Sequence, residues 1–225
     1  MLALLCGVVG KIFNCPPLFL LLCFVQSTIK SAYQLKMKDE LIIAVIGSAA
    51  TGKSTLVDRL VTLVGGSCTD EELAMFQMET PKYNVTLYDI PDIESFREYT
   101  ENGTINPNSA ILCVSAAAGE GTHEGNDKTP EYIAVAMELG IPQLAVAITK
   151  MDKALWLEER LNEMIKVTTT VVRHTKPTIL DIRSIVYVPV CAQLDDLLMS
   201  ETEHMSWYKG WTKGTVNDYI IKGIE

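Results

Sequence analysis

The sequence predicts an α/β domain of three layers: a doubly wound, mostly parallel sheet with helices on both faces. Two observations predict it. Apolar runs of strand length alternate with segments of helical periodicity from residue 41 onward, the pattern of parallel strands joined by helical crossovers. The first run, Leu41 to Ile46, leads directly into Gly-x-x-x-x-Gly-Lys-Ser at 47–54, the sequence of a phosphate-binding loop. Together they predict the fold of the phosphate-loop nucleoside triphosphatases.

Each element has its own warrant. Six apolar residues before Gly47 suit a strand buried on both faces. Leu56, Leu60, Leu63 and Val64 recur at helical spacing over 53–64, and Gly65-Gly66 ends that helix. Residues 73–79 read as an added edge strand, 84–89 as a strand and 93–100 as a helix. A strand follows at 109–115. The helix at 130–139 is punctuated by Thr129 as N-cap, Pro130 at its first position and Gly140 past its end. Strands at 143–149 and 185–190 flank a helix at 154–172, with Leu157, Leu161, Met164 and Ile165 inward and Glu158, Glu159 and Arg160 solvated. A last helix is expected near 215–223.

Composition narrows the function. A net charge of −9 argues against a free-standing nucleic-acid binder, which is usually basic. The six cysteines, at 6, 15, 23, 68, 113 and 191, form no Cys-x-x-Cys pair; buried, reduced thiols in a cytoplasmic protein are the expectation. The three histidines are scattered along the chain, so no structural metal site is expected. Residues 1–35 read as a hydrophobic extension and 36–225 as the domain body. Residues 1–29 carry a single Lys, Arg, Asp or Glu residue, Lys11. Three readings stand for the extension: a signal-like segment, a membrane anchor, or sequence joined to the domain by a faulty gene model. Export is disfavoured, because a nucleotide switch outside the cell would lack GTP. Contact with a membrane is expected only through residues 1–29. The sequons at Asn84 and Asn102 are short enough to occur by chance.

The phosphate loop is Gly47, Ser48, Ala49, Ala50, Thr51, Gly52, Lys53, Ser54 and Thr55. Its N–H groups point at phosphate oxygens, Lys53 reaches the β- and γ-phosphates, and the Ser54 hydroxyl ligates Mg²⁺. After the next strands a base-reading element should follow. Thr149-Lys150-Met151-Asp152 closes the strand at 143–149 and is similar to the Asn-Lys-x-Asp of GTP-binding proteins. There the aspartate accepts from guanine N1–H and the 2-amino group, and adenine would leave it unpaired. Asp152 takes that part and Lys150 lies along the base. Thr149 keeps a hydroxyl but lacks the amide that ties this loop to the phosphate loop. Val188-Pro189-Val190 leads into Cys191-Ala192-Gln193, where the Ala192 N–H donates to guanine O6 and Cys191 replaces the usual Ser.

The third element is the metal and γ-phosphate sensor, Asp-x-x-Gly. Asp89 fits as second Mg²⁺ residue beside Ser54, so Lys53 and Asp89 are the catalytic candidates. The Gly position is Asp92, whose carboxylate is unfavourable beside a phosphate. Ile93 follows where translational GTPases carry a water-positioning His, and an aliphatic side chain cannot orient water. An Asp92→Gly, Ile93→His pair is expected to restore part of the turnover.

Glu79-Thr80-Pro81-Lys82-Tyr83, Val85-Thr86, the Leu-Gly-Ile-Pro-Gln-Leu run at 139–144, Lys150-Met151-Asp152 and Trp207-Tyr208-Lys209-Gly210-Trp211 resemble eukaryotic elongation factor 1-alpha over about residues 41–211. The resemblance implies a guanine-nucleotide domain of protein biosynthesis, binding GTP and GDP with Mg²⁺ in the cytoplasm. It implies an exchange factor and the ribosome as partners. The family's two β-barrels have no counterpart in these residues, so tRNA binding is not expected. Its first switch carries Gly-Ile-Thr, absent here; Thr69 and Asp70 lie nearest that place. The expectation is a GTPase whose hydrolysis is weak or lost. The alternative is a nucleotide-independent interaction module, or a degraded paralogue, binding elongation-factor partners.

Overall fold

The computed structural model describes residues 39–79, 83–117, 128–175, 180, 182–194 and 203–208. Seven strands form one sheet: β1 (Asp39–Ile46), β2 (Ser67–Asp70), β3 (Met75–Glu79), β4 (Tyr83–Asp89), β5 (Ser109–Ser115), β6 (Leu144–Thr149) and β7 (Val186–Pro189). Their order is β2-β3-β4-β1-β5-β6-β7. β1 pairs parallel with β4 and β5, and β5–β6 and β6–β7 are also parallel. The β2–β3 hairpin is antiparallel and continues the sheet by antiparallel pairing of β3 with β4. The sheet is therefore mixed and mostly parallel, as expected.

Alternation along β1 builds both faces. Leu41, Ile43 and Val45 pack with Leu56, Val57, Leu60 and Val61 of α1 (Lys53–Val64). Ala44 and Ile46 face the opposite core, which is covered by α2 (Ile93–Glu101), α3 (Thr129–Glu138) and α4 (Glu158–His174). Successive strand side chains point to opposite faces, so one strand serves two helical layers. β1 lies between β4 and β5 although it precedes both. Loops leaving the C-terminal ends of β1, β4, β6 and β7 consequently meet at one edge, where open α/β sheets place ligands.

Several expectations need correction. Residues 73–79 hold a strand, β3, but it is not the edge; β2 lies outside it. Nothing in Ser67-Cys68-Thr69-Asp70 alternates in polarity, because the strand is exposed, and Cys68 is exposed with it against the expectation of a buried thiol. In α1 Leu56 and Leu60 are buried as expected, but the stripe extends one residue on, to Val57 and Val61, while Leu63 is 37% exposed. α3 starts at Thr129 with Lys128 as its cap and no side-chain capping bond. α4 starts at Glu158, not 154, because Leu155 and Trp156 adopt φ of 54° and 52°, and Leu157 is half exposed rather than core. The helix expected near 215–223 and the extension at 1–35 lie outside the described residues. Among the described residues no helix is long and apolar enough to cross a membrane.

Candidate functional site

The phosphate loop curls between β1 and α1. Gly47 has φ +143°, and a Cβ there would stand 2.4 Å from the Cys113 carbonyl oxygen of β5. Only glycine allows so close a backbone approach. Gly52 caps α1 in the left-handed conformation at φ 89°, with no side-chain capping bond, so the first N–H groups of the helix are left for an anion. The Thr51 hydroxyl donates to the Ser48 carbonyl at 2.8 Å, and Ser48 Oγ accepts from the Lys128 N–H at 3.0 Å. Lys53 is buried, its ammonium donating to the Gly47 and Ser48 carbonyls at 2.8 and 3.2 Å. Ala49, Ala50, Ser54 and Thr55 are exposed.

Asp89 closes β4. Its Oδ1 is buried with no hydrogen-bond partner among the described residues. Burial pushes the Cys113 thiol up to about 12, with the Lys53 charge opposing and the Asp89 carboxylate reinforcing. Both charges are thus felt at the same buried thiol of β5. The orphaned carboxylate oxygen of Asp89 and the hydroxyl of Ser54 are both hard oxygen donors, the kind that Mg²⁺ takes.

The guanine-loop candidates join this loop directly. The Thr149 hydroxyl donates to the Thr51 carbonyl at 2.5 Å, with the Val114 carbonyl at 3.2 Å. The tie between the two loops, expected to be lost with the Asn amide, is made by the hydroxyl instead. Lys150 adopts φ 57°, and the Met151 N–H donates to Val190 O at 3.3 Å, binding the β6 and β7 loops together. The Cys191 thiol donates to Asp152 Oδ1 at 3.2 Å, while Lys153 Nζ lies 3.7 Å from Oδ2. Burial, then this hydrogen bond, pushes the Cys191 thiol up to about 11. Ala192 is buried in the turn after Cys191, and Gln193 is exposed. The sequence shows only that Cys replaces the usual Ser at 191; the thiol's contact with Asp152 is legible in the structure alone.

The positions expected to sense the γ-phosphate are engaged locally. Asp92 caps α2, its Oδ1 accepting from the Ser95 N–H at 2.7 Å. That bond holds its carboxyl below the ordinary carboxylate range. Ile93 is buried in the core. Thr69 donates to Met75 O at 3.3 Å, and Asp70 Oδ1 accepts from the Glu72 and Leu73 N–H groups at 3.0 Å each. Both side chains serve the β2–β3 turn.

Residues 68–215 match the family described as Elongation factor Tu GTP binding domain. Elongation factor 1-alpha of Absidia glauca is 36% identical over 146 residues, 64% of this chain and 31% of that protein. An elongation factor 1-alpha of Mucor circinelloides f. lusitanicus is 30% identical over 217 residues, 80% of this chain and 47% of that protein. The chain thus spans between 31% and 47% of the length of these relatives. Among solved structures, Sup35 complexed with GMPPNP aligns with TM-score 0.60 and 26% identity, covering 82% of this chain and 45% of that one. Apo translation elongation factor SelB from Methanococcus maripaludis, at 22% identity and TM-score 0.53 over 71% of this chain and 31% of its own, shares the fold.

Proposed function

The chain belongs to the family of elongation factor Tu GTP-binding domains, and from that premise we propose that it binds GDP and GTP with Mg²⁺ and hydrolyses GTP weakly or not at all. One observation carries the reading: the Thr149 hydroxyl on the Thr51 carbonyl joins the phosphate loop to the loop of Lys150 and Asp152. Phosphate-facing and base-facing groups then belong to one site. Lys53 and the amides of the loop face the phosphates. Asp152, held by Cys191, faces guanine, and the Ala192 N–H faces O6. Ser54 and Asp89 would hold Mg²⁺, which neutralises charge on the phosphates when bound. No side chain takes the water-positioning role, since Ile93 is aliphatic and buried. Titration calorimetry with GDP, GTP and ATP tests the reading: heat with both guanine nucleotides and none with ATP is expected. No heat with either guanine nucleotide overturns it.

The proposal extends to the cytoplasm as its place and to an exchange factor and the ribosome as partners. It takes 36–225 as the nucleotide domain and leaves tRNA delivery aside. A second reading, a nucleotide-independent interaction module, draws on Lys53, whose ammonium is already held by two loop carbonyls. Lys53→Ala separates the two: unchanged partner capture favours the module.

A further inference from the structure

We infer that the turn at 203–208 is a clamp that positions both base-facing loops for guanine; the inference rests on the nucleotide reading above. The loop after β6 needs such a hold. Lys150, Leu155 and Trp156 adopt φ of 57°, 54° and 52°, a left-handed conformation that L side chains disfavour unless surrounding contacts impose it. Trp156 is the point of attachment. Its N–H donates to Met151 O at 2.9 Å. Its carbonyl accepts from the Trp207 indole N–H at 3.0 Å, and its ring stacks on His204 with centroids 4.4 Å apart and planes 19° apart. The Leu155 N–H donates to the Asp152 carbonyl at 3.1 Å, so a hold on Trp156 passes along the turn to the residue that faces the base.

The second arm reaches β7. The Tyr208 hydroxyl donates to Tyr187 O at 3.1 Å, and the Tyr187 hydroxyl pairs with Thr169 of α4 at 2.8 Å. Tyr187 lies in the strand that delivers Cys191 and Ala192. Met205, 1% exposed, anchors the turn in the core, and the Tyr208 N–H closes it on Met205 O at 2.9 Å. Trp207 and Tyr208 are neighbours with ring planes 85° apart, so adjacent residues grip the loop after β6 and the strand β7. The Cys191–Asp152 contact links those loops at the site itself. Trp207, His204 and Tyr208 are therefore positioning residues, acting through Asp152 and Ala192.

The test is Trp207→Phe in the full chain, which keeps an aromatic ring and removes the indole donor. GDP, inosine diphosphate and inorganic pyrophosphate are titrated by calorimetry. Inosine diphosphate lacks the 2-amino group, so the preference for GDP over it reads the aim of Asp152, and pyrophosphate reads the phosphate loop alone. The expected result is GDP binding weakened about 3- to 10-fold, a comparable fall in the GDP preference, and unchanged pyrophosphate binding. Amide exchange across 151–157 should also accelerate without nucleotide. Should Trp207→Phe not fold, His204→Ala removes the stack from an exposed position, with about a 2- to 3-fold effect in the same direction. A GDP preference within twofold of the parent, or equal losses for GDP and pyrophosphate, overturns the clamp. Failure of the parent chain to bind GDP overturns the nucleotide reading, and the clamp with it.

Discussion

Thr149→Val tests the joint between the two loops. The side chains are nearly isosteric, so packing is kept and one donor is lost. Thr149 and Thr51 are each 3% exposed, and the lost bond is 2.5 Å long. Removing the donor leaves the Thr51 carbonyl short of this partner in a buried setting, at about 1–3 kcal/mol. In urea this corresponds to a midpoint shift of about 1 M with unchanged slope. Thr149→Ser keeps the donor and loses one methyl, about 0.8 kcal/mol, so its shift should fall well short of that of the valine variant. The same two proteins titrated with GDP should rank in the same order, because the tie sets the spacing between Asp152 and Lys53. A valine variant within about 0.3 kcal/mol of the parent, with GDP affinity intact, would refute the joint; that margin is inside the scatter of neutral surface changes.

Three further perturbations follow. Gly47→Ala places a Cβ 2.4 Å from Cys113 O at a φ of +143°; a loss of about 3 kcal/mol is expected, with thermal unfolding about 6–12 °C earlier and no GDP binding. Asp92→Ala removes the cap of α2 and should cost about 1 kcal/mol. Because the folded Asp92 carboxyl is held below its ordinary value of 3.8, its stabilisation is present above that pH and fades as pH falls through the lowered folded value, so parent and variant should converge in acid. The Cys191 thiol is raised from 9.0 to about 11, so the folded state keeps a proton between these values that the unfolded chain releases. Its stability should therefore fall as pH rises through that window, and Cys191→Ser should lose this part of the slope while binding GDP at least as well. A slope equal in both proteins would remove the thiol from the account.

Much of the site was legible because it is made of backbone conformations that only particular residues adopt. Gly47 and Gly52 fix the loop, and the apolar run before them fixes the strand that presents it. The ends of β6 and β7, beside Thr149 and Cys191, are legible because both strands are unbroken apolar runs buried along their whole length. What escaped lies where chemistry is local or polar. β2 has no alternation to read. The left-handed turn at Leu155 and Trp156 has no local signature in the sequence, and the hold on Trp156 from Trp207 comes from 51 positions away, so α4 reads as starting too early. The stripe of α1 extends one residue on because Val57 and Val61 bury as well as leucines do, and spacing alone does not choose between adjacent faces.

The restoration of turnover by Asp92→Gly with Ile93→His, which motif logic favours, runs against the packing. Asp92 is the cap of α2, and glycine there forfeits the bond to the Ser95 N–H, although glycine caps lose only a few tenths of a kcal/mol. Ile93 is 8% exposed against the core that holds Phe96 and Tyr132. Exchanging it for an imidazole removes a buried aliphatic chain and buries a polar ring, at about 2–4 kcal/mol. The new imidazole would begin inside the core, not above the phosphate loop. Thr69 and Asp70 would still be committed to the β2–β3 turn, with β3 paired to β4 over five residues. Single-turnover phosphate release by the double variant should therefore stay at the parent's level, while its urea midpoint falls. A gain in phosphate release without loss of stability would show that α2 can shift at its start, and that Asp92 and Ile93 alone restrain hydrolysis.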